Sequence, residues 1–124
     1  MSDLVTLRDG MRAFTHERGW EHYHDPKSLL LALVGEVGEL SELLQWIPAD
    51  EARAQASSGD LRGRVADELA DVLLYLVRLA DVLDIDLAVS AHRKLARSAV
   101  KYPPGTGPDS YRRGLPPDDV GSPG

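Results

Sequence analysis

A chain of 124 residues has room for one small domain with a single hydrophobic core, and its lack of cysteine excludes disulfides and thiol chemistry. The formal net charge of −6 argues against a surface that binds a nucleic acid polymer. No charged segment followed by an apolar one opens the sequence, and the longest apolar run covers only residues 29–34. We therefore expect no signal peptide and no membrane span, but a cytoplasmic protein.

Four segments show helical spacing of apolar residues, and none of useful length shows the alternation of a β-strand. We therefore predict an all-α fold, organised as a four-helix bundle. The predicted helices run from Ser2 or Asp3 to Gly19, from Pro26 to just before Pro48, from Asp60 to about Leu83, and from about Leu87 to Val100. Ser2 or Asp3 is the predicted N-cap of the first helix and Gly19 its C′ residue, and Asp25 is the predicted N-cap of the second helix, with Pro26 at its first position. The polar connection 49–59 could be partly helical, but its sequence predicts no definite element.

The second predicted helix is apolar nearly all round between residues 29 and 34, so we expect it to be the central and most buried element. Gly35 and Gly38 remove side chains at places where we expect another helix or a ligand to come close. One small bundle cannot cover this much apolar surface, which predicts a homo-oligomer.

The C-terminal end differs in composition from the rest of the chain. From residue 103 onward it holds six of the eight prolines and five of the eleven glycines, a composition that cannot build a core. We expect an all-α domain at 1–103 and an extended or disordered tail at 104–124.

Two pairs of acidic residues, each with a spacing of three, lie inside apolar predicted helices. Glu36 and Glu39 belong to the second helix, and Glu68 and Asp71 to the third. A spacing of three places both carboxylates of a pair on one helix face, with Cβ atoms roughly 5–6 Å apart. Each pair is therefore a concentration of negative charge.

Neither pair has a basic neighbour on its own helix, because residues 28–52 and 65–77 contain no lysine or arginine. Like charges this close either raise their pKa values or bind a cation. A single acidic pair is often only a solvated helix face, but two pairs in such apolar helices favour a metal site. Four oxygen ligands without His or Cys favour Mg²⁺ or Mn²⁺ over Zn²⁺.

Three strings of the sequence, LLLALVGEVGELSELLQW, DELADVLLYLVRLA and KLARSAVKYP, resemble the MazG-type all-α nucleoside triphosphate pyrophosphohydrolases. The resemblance covers roughly Leu4 to Pro103. The motif from Arg18 to Glu21, the His24-x-Pro26 motif and Gln45-Trp46 make the chain most similar to the dCTP pyrophosphatase branch. It implies Mg²⁺-dependent hydrolysis of a nucleoside triphosphate to the monophosphate and pyrophosphate, in a homodimer or homotetramer, with Mn²⁺ as a possible substitute.

The resemblance also implies roles for single residues. The implied metal ligands are Glu36, Glu39, Glu68 and Asp71, with Glu36 or Glu39 also able to take the proton of the attacking water. The implied substrate-binding residues are Trp20, His24, Trp46, Tyr75, Lys94, Lys101 and Tyr102. Met11 and Ser98 stand where the dCTP branch has His and the family often has Asn, so we expect a pyrimidine preference that is looser than in that branch.

Other interpretations stay open. The two tryptophans and Tyr75 are also typical of core or interface positions, and the two lysines of solvated charge. The whole chain could be a non-catalytic helical dimerisation or regulatory module, although the four uncompensated carboxylates disfavour this. A third hypothesis is sanitation of the nucleotide pool by hydrolysis of damaged or noncanonical nucleotides, with dCTP secondary.

Overall fold

The computed structural model describes residues 3–105, and within that range every regular element is helical. The elements are α1 (Asp3–Glu17), a 3₁₀ turn (Glu21–Tyr23), α2 (Pro26–Leu44), α3 (Ala49–Ala56), α4 (Gly59–Val82) and α5 (Leu87–Lys101). The predicted all-α class is confirmed for the described residues. The predicted N-cap at Ser2 and most of the tail, residues 106–124, lie outside them.

The predicted number of helices was wrong, because the polar connection contains the eight-residue helix α3. This helix lacks the apolar spacing that identifies a core-facing helix. It is built instead from good helix formers, with Asp50 and Glu51 in its first turn, where negative charge favours the positive end of the helix dipole.

Two helix boundaries follow the predicted local chemistry. The Asp25 carboxylate accepts hydrogen bonds from the Ser28 backbone N–H at 2.9 Å and from the Ser28 hydroxyl at 2.6 Å, and Pro26 occupies the first turn of α2. Gly19 has φ +64°, a left-handed conformation that suits glycine, just beyond the end of α1. These caps set where α2 begins and therefore which of its side chains face α4.

The chain divides into two compact units, Met1–Leu87 and Ala88–Gly124. In the first unit α4 is the common packing partner of α1, α2 and α3. Among the described residues, the buried apolar side chains are Leu29 of α2 and Val77 and Ala80 of α4. Helix α4 is therefore the central element of this unit.

The expectation that α2 would be the most buried helix was wrong. Leu29 is its one buried residue, while Leu30, Leu31, Val34 and Val37 are between 44% and 61% exposed. Apart from neighbouring residues and backbone of α2 itself, no described atom lies within 4 Å of where a Cβ on Gly35 or Gly38 would be, so the close approach expected there is not made within the described chain. Contact with α4 covers one side of α2 and leaves the remaining apolar side chains open.

The second unit begins with the body of α5, which continues to Lys101. The Tyr102 N–H donates to the Ser98 carbonyl at 2.8 Å and extends the last turn. Among the described helices, none is long and apolar enough to cross a membrane.

Candidate metal centre and adjoining cavity

Three acidic side chains converge where α2 packs against α4. Glu36 and Glu39 come from α2 and Glu68 from α4, and one carboxylate oxygen of each lies within 4.8 Å of the others. The spacing of three in α2 puts the first two acids on one face, and helix packing brings the third to them. We refer to Glu36, Glu39 and Glu68 as the carboxylate cluster.

No described lysine, arginine or histidine forms an ion pair with the carboxylate cluster. The Oε2 atoms of Glu36 and Glu68 are buried, and neither has a hydrogen-bond partner among the described residues. Burial raises the pKa of Glu36 to about 7, and the facing carboxylates of Glu39 and Glu68 raise it further. Burial also raises the pKa of Glu68, and the charges of Glu39 and Asp71 add to the effect.

The donor set fits a hard divalent cation. Every ligand atom in the carboxylate cluster is a carboxylate oxygen, the donor type preferred by Mg²⁺ and Mn²⁺. Buried polar atoms in folded proteins nearly always have a partner, so two orphaned carboxylate oxygens indicate a place for a positive charge. The cluster can therefore hold a metal ion.

Asp71, the fourth predicted ligand, lies one turn beyond Glu68 on α4 and outside the group of three. Its charge nevertheless raises the pKa values of both Glu36 and Glu68, which places it within electrostatic reach of them. It also lines a cavity next to the cluster. Asp71 therefore marks the border between the carboxylate cluster and that cavity.

The cavity has a volume of about 390 Å³ and an apolar wall with few polar groups. We call it the aromatic cavity; its wall consists of Thr6, Leu7, Gly10, Met11, Phe14, Trp20, His24, Asp71, Leu74 and Tyr75. The rings of Phe14 and Trp20 meet edge to face, with centroids 5.8 Å apart. A concave, mostly apolar space of this size is typical of a small-molecule site.

The aromatic cavity brings together three of the predicted substrate-binding residues, Trp20, His24 and Tyr75. Met11, whose identity bears on base preference, lies beside them. Trp46, by contrast, is 86% exposed in the turn after α2 and does not line this cavity. Trp20 thus lines the aromatic cavity and Trp46 does not, although both were predicted to bind substrate.

Lys94, Lys101 and Tyr102 belong to the second unit. The Lys101 ammonium lies 5.4 Å from the centroid of the Tyr102 ring, a cation–π contact within that unit. The predicted contact of these three residues with phosphates stays a prediction.

Sequence reasoning missed Arg78. Its side chain is 8% exposed and joins His24 to Asp81: Arg78 Nε donates to His24 Nδ1 at 3.0 Å, and Arg78 Nη1 donates to Asp81 Oδ2 at 3.1 Å. Arg12 of α1 completes the group with a two-pronged contact to Asp81, at 3.1 and 2.5 Å. The spacing of three between Arg78 and Asp81 was visible in the sequence, whereas the contact with His24, 54 residues away, was not.

Comparison with known proteins places these features in a family context. Residues 24–103 match the MazG nucleotide pyrophosphohydrolase domain. dCTP pyrophosphatase 1 of Bos taurus is 48% identical over 105 residues, which cover 82% of this chain and 62% of the relative. dCTP pyrophosphatase 1 of Homo sapiens is 46% identical over 101 residues, 79% of this chain and 59% of the relative. The chain therefore spans about three fifths of the length of these relatives.

A solved structure is similar over nearly its whole length. The crystal structure of a pyrophosphatase from Archaeoglobus fulgidus DSM 4304 superposes with a TM-score of 0.76 at 38% sequence identity. The match covers 83% of this chain and 94% of that one. The chain is thus similar in sequence to proteins named as pyrophosphatases, and similar to one of them in the arrangement of its helices.

Proposed function

The chain belongs to the MazG nucleotide pyrophosphohydrolase family, and from this premise we propose that it hydrolyses a nucleoside triphosphate to the monophosphate and pyrophosphate. We propose dCTP or a modified dCTP as the preferred substrate, since the similar mammalian proteins are dCTP pyrophosphatases. The observation that supports this best is the carboxylate cluster, with two orphaned buried oxygens, directly next to a cavity of nucleobase size.

The carboxylate cluster is the proposed triphosphate end of the site. Glu36, Glu39 and Glu68, with Asp71 at the border, would hold Mg²⁺, and Mn²⁺ could substitute. A divalent cation bound there supplies positive charge to the triphosphate and lowers the pKa of a bound water. Glu36 and Glu39 are the two candidates for accepting the proton of the water that attacks the α-phosphorus.

The aromatic cavity is the proposed base end of the site. Trp20 and Tyr75 offer ring surfaces on which a base can stack, and stacking tolerates many bases because each has a π-face. Discrimination must therefore come from the polar groups of the same wall, His24 and Asp71 among them. This division explains how pyrimidine preference and a broad substrate range can coexist.

Self-association is a further part of the proposal. The open apolar side chains of α2, from Leu30 to Val37, together with the highly exposed Trp46, form a surface that a second copy would remove from water. A homodimer or homotetramer is the proposed assembly. Within it, Lys94, Lys101 and Tyr102 would contact phosphates. The 1–103 domain would fold without the 104–124 tail, and the protein would act in the cytoplasm.

The proposed reaction is tested by its products. Purified protein with Mg²⁺ and a panel of canonical and modified nucleoside triphosphates should release monophosphate and pyrophosphate. Diphosphate and orthophosphate as primary products would contradict the proposal. Self-association without turnover of any nucleotide would instead favour a non-catalytic dimerisation module.

The base end is tested by comparing the two tryptophans. Trp20→Ala should raise KM for every nucleotide by a similar factor of about fivefold or more, since stacking one base on an aromatic ring is worth roughly 1–3 kcal/mol. Trp46→Ala is the matched variant outside the aromatic cavity. Quenching of tryptophan fluorescence by a non-hydrolysable dCTP analogue should be lost in Trp20→Ala; its persistence there and loss in Trp46→Ala would move the base to Trp46.

A further inference from the structure

His24 lies between the aromatic cavity and a buried arginine. Its ring forms part of the cavity wall, and its Nδ1 atom is 3.0 Å from Arg78 Nε. A guanidinium group carries only hydrogen-bond donors and stays protonated in proteins. The His24 nitrogen that faces it must therefore act as an acceptor, with its lone pair toward Arg78.

The acceptor role of Nδ1 determines where the ring hydrogen lies. A neutral imidazole has one N–H, so when Nδ1 accepts, the hydrogen is on Nε2. The doubly protonated ring would set an N–H and a positive charge against Arg78. Burial lowers the pKa of His24, and the Arg78 charge lowers it further, so the ring stays neutral at neutral pH.

Arg78 itself is held in place by a chain of charged contacts. The Asp81 side chain is 10% exposed, and its carboxylate accepts one hydrogen bond from Arg78 and two from Arg12 of α1. These contacts lower the pKa of the Asp81 carboxyl, with Arg12 the largest cause. The guanidinium thus has a fixed orientation, and its contact with His24 does not depend on a flexible surface side chain.

We propose that Arg78 is a positioning residue that holds His24 as the Nε2–H tautomer, so that His24 presents a hydrogen-bond donor to an acceptor atom of a nucleobase in the aromatic cavity. This inference rests on the proposed function. Cytosine offers such acceptors at O2 and N3. A donor from His24 thereby supplies polar recognition that stacking does not.

The first test reads the tautomer in the wild-type protein. Ring ¹⁵N spectra of the histidines, with His24 assigned from the signals lost in His24→Gln, should show a protonated Nε2 and an unprotonated Nδ1 at neutral pH. Addition of a non-hydrolysable dCTP analogue should shift the Nε2–H signal. A protonated Nδ1 in the folded protein, or no shift with any nucleotide, would overturn the inference without reference to any variant's stability.

The second test reads the consequence for substrate. Arg78→Met removes the donor but keeps an apolar side chain, and it should raise KM for dCTP about three- to tenfold, the range of one net hydrogen bond, with kcat little changed. Arg78→Lys keeps a positive charge and N–H donors but loses the forked guanidinium geometry, so its KM should fall between those of the wild type and Arg78→Met. Arg8→Gln is the matched control, since Arg8 is an arginine of α1 whose side chain pairs with Asp9. It should leave KM unchanged.

Two further comparisons separate positioning from general damage. In a His24→Gln background the amide carries its own donor hydrogens, so adding Arg78→Met should change KM for dCTP much less than in the wild type. An abasic deoxyribose triphosphate has no base to contact His24, and its KM should not respond to Arg78→Met. An equal rise of KM in both backgrounds, or for both ligands, would overturn the inference.

The outcomes also separate this inference from the proposed reaction. Hydrolysis of dCTP to pyrophosphate with Arg78→Met behaving like Arg8→Gln would overturn the role of Arg78 and leave the reaction standing. A shift of the His24 signal on nucleotide binding, without turnover of any nucleotide, would support the role of Arg78 and contradict the reaction.

Discussion

Helix α4 carries carboxylates at Glu68 and Asp81, roughly 20 Å apart along its axis at 1.5 Å per residue, and their surroundings have opposite electrostatic character. Asp81 lies between Arg78 and Arg12, which lower the pKa of its carboxyl. Glu68 faces two more glutamates, and one of its buried oxygens has no partner among the described residues. Arg12 and Arg78 neutralise Asp81, whereas the carboxylate cluster has no such positive partner among the described residues.

Asp81 and the carboxylate cluster differ in the charges that the neighbouring helices bring to them. Both groups are acids in a helix that is otherwise strongly apolar, so hydropathy does not distinguish them. The distinguishing feature is whether positive charge approaches from the neighbouring helix. Helix α1 brings Arg12 to Asp81, whereas α2 brings two further glutamates to Glu68.

The largest expected effect is on turnover. Glu39→Gln or Asp71→Asn removes a charge from the proposed metal site and should abolish turnover, a larger loss than the 10- to 100-fold that removing an outer-shell partner typically causes. Because these like charges repel one another without metal, each metal-free variant should have a thermal midpoint equal to or higher than that of the metal-free wild type. Both quantities are measured on the same preparations, by pyrophosphate release and by thermal melting with EDTA.

Glu42→Gln is the matched control for that experiment, since Glu42 is an exposed glutamate one turn beyond Glu39 on the same helix. It should retain wild-type turnover. Near-wild-type activity in Glu39→Gln, or its unfolding in EDTA, would contradict the assignment of the carboxylate cluster as a metal site.

Neutralising Asp81 should lower the stability of the protein, the opposite of the effect expected for Glu39→Gln. Asp81→Asn removes the charge that pairs Arg12 and Arg78, and we expect it to cost about 1.5–3 kcal/mol of unfolding free energy, the range for hydrogen bonds to charged groups. Urea denaturation of the metal-free proteins measures the difference. A urea midpoint of Asp81→Asn equal to that of Glu39→Gln would contradict the expected difference between Asp81 and the carboxylate cluster.

The pH dependence of stability should also differ in sign. The pKa of Glu36 in the folded protein is about 7, above its ordinary value of 4.5, so between these values the folded state binds more protons than the unfolded state. In EDTA, stability should therefore fall as pH rises through this window. Asp81 has a lowered pKa, so its contribution is present above its ordinary value of 3.8 and is lost as pH falls through the folded value.

Thermal melts between about pH 5 and 8 test this expectation. The wild-type midpoint should decline by several degrees toward pH 8, since about 1 kcal/mol shifts the midpoint of a domain of this size by roughly 4–8 °C. Glu36→Gln removes the titrating group and should flatten the curve. An unchanged slope in Glu36→Gln would assign the pH dependence to other groups.

The smallest effect is expected from removing the C-terminal tail, because the tail contains neither Glu68 nor Asp81. Truncation after Pro104 removes few apolar side chains, so the thermal midpoint should barely move and both the turnover and the Asp81 pair should be kept. A large drop in the midpoint would instead show that the tail packs against the domain or a second copy.

The sequence alone was sufficient for the helical class, for the caps at Asp25 and Gly19, and for the acidic pair of α2. These features depend on local chemistry and on the 3.6-residue period, both of which operate within one segment. The sequence did not identify α3, because a short polar helix lacks the regular spacing of apolar residues from which a helix is predicted.

Tertiary structure decided what depends on distance along the chain. The convergence of Glu68 with Glu36 and Glu39 follows from the packing of α2 on α4, and no spacing rule predicts it. The same holds for the separation of Trp20 from Trp46, and for the contact of Arg78 with His24 across 54 residues. Each acid carries the same charge in the unfolded chain, and only the side chains that folding brings beside it determine whether it is paired with a positive charge or left without one.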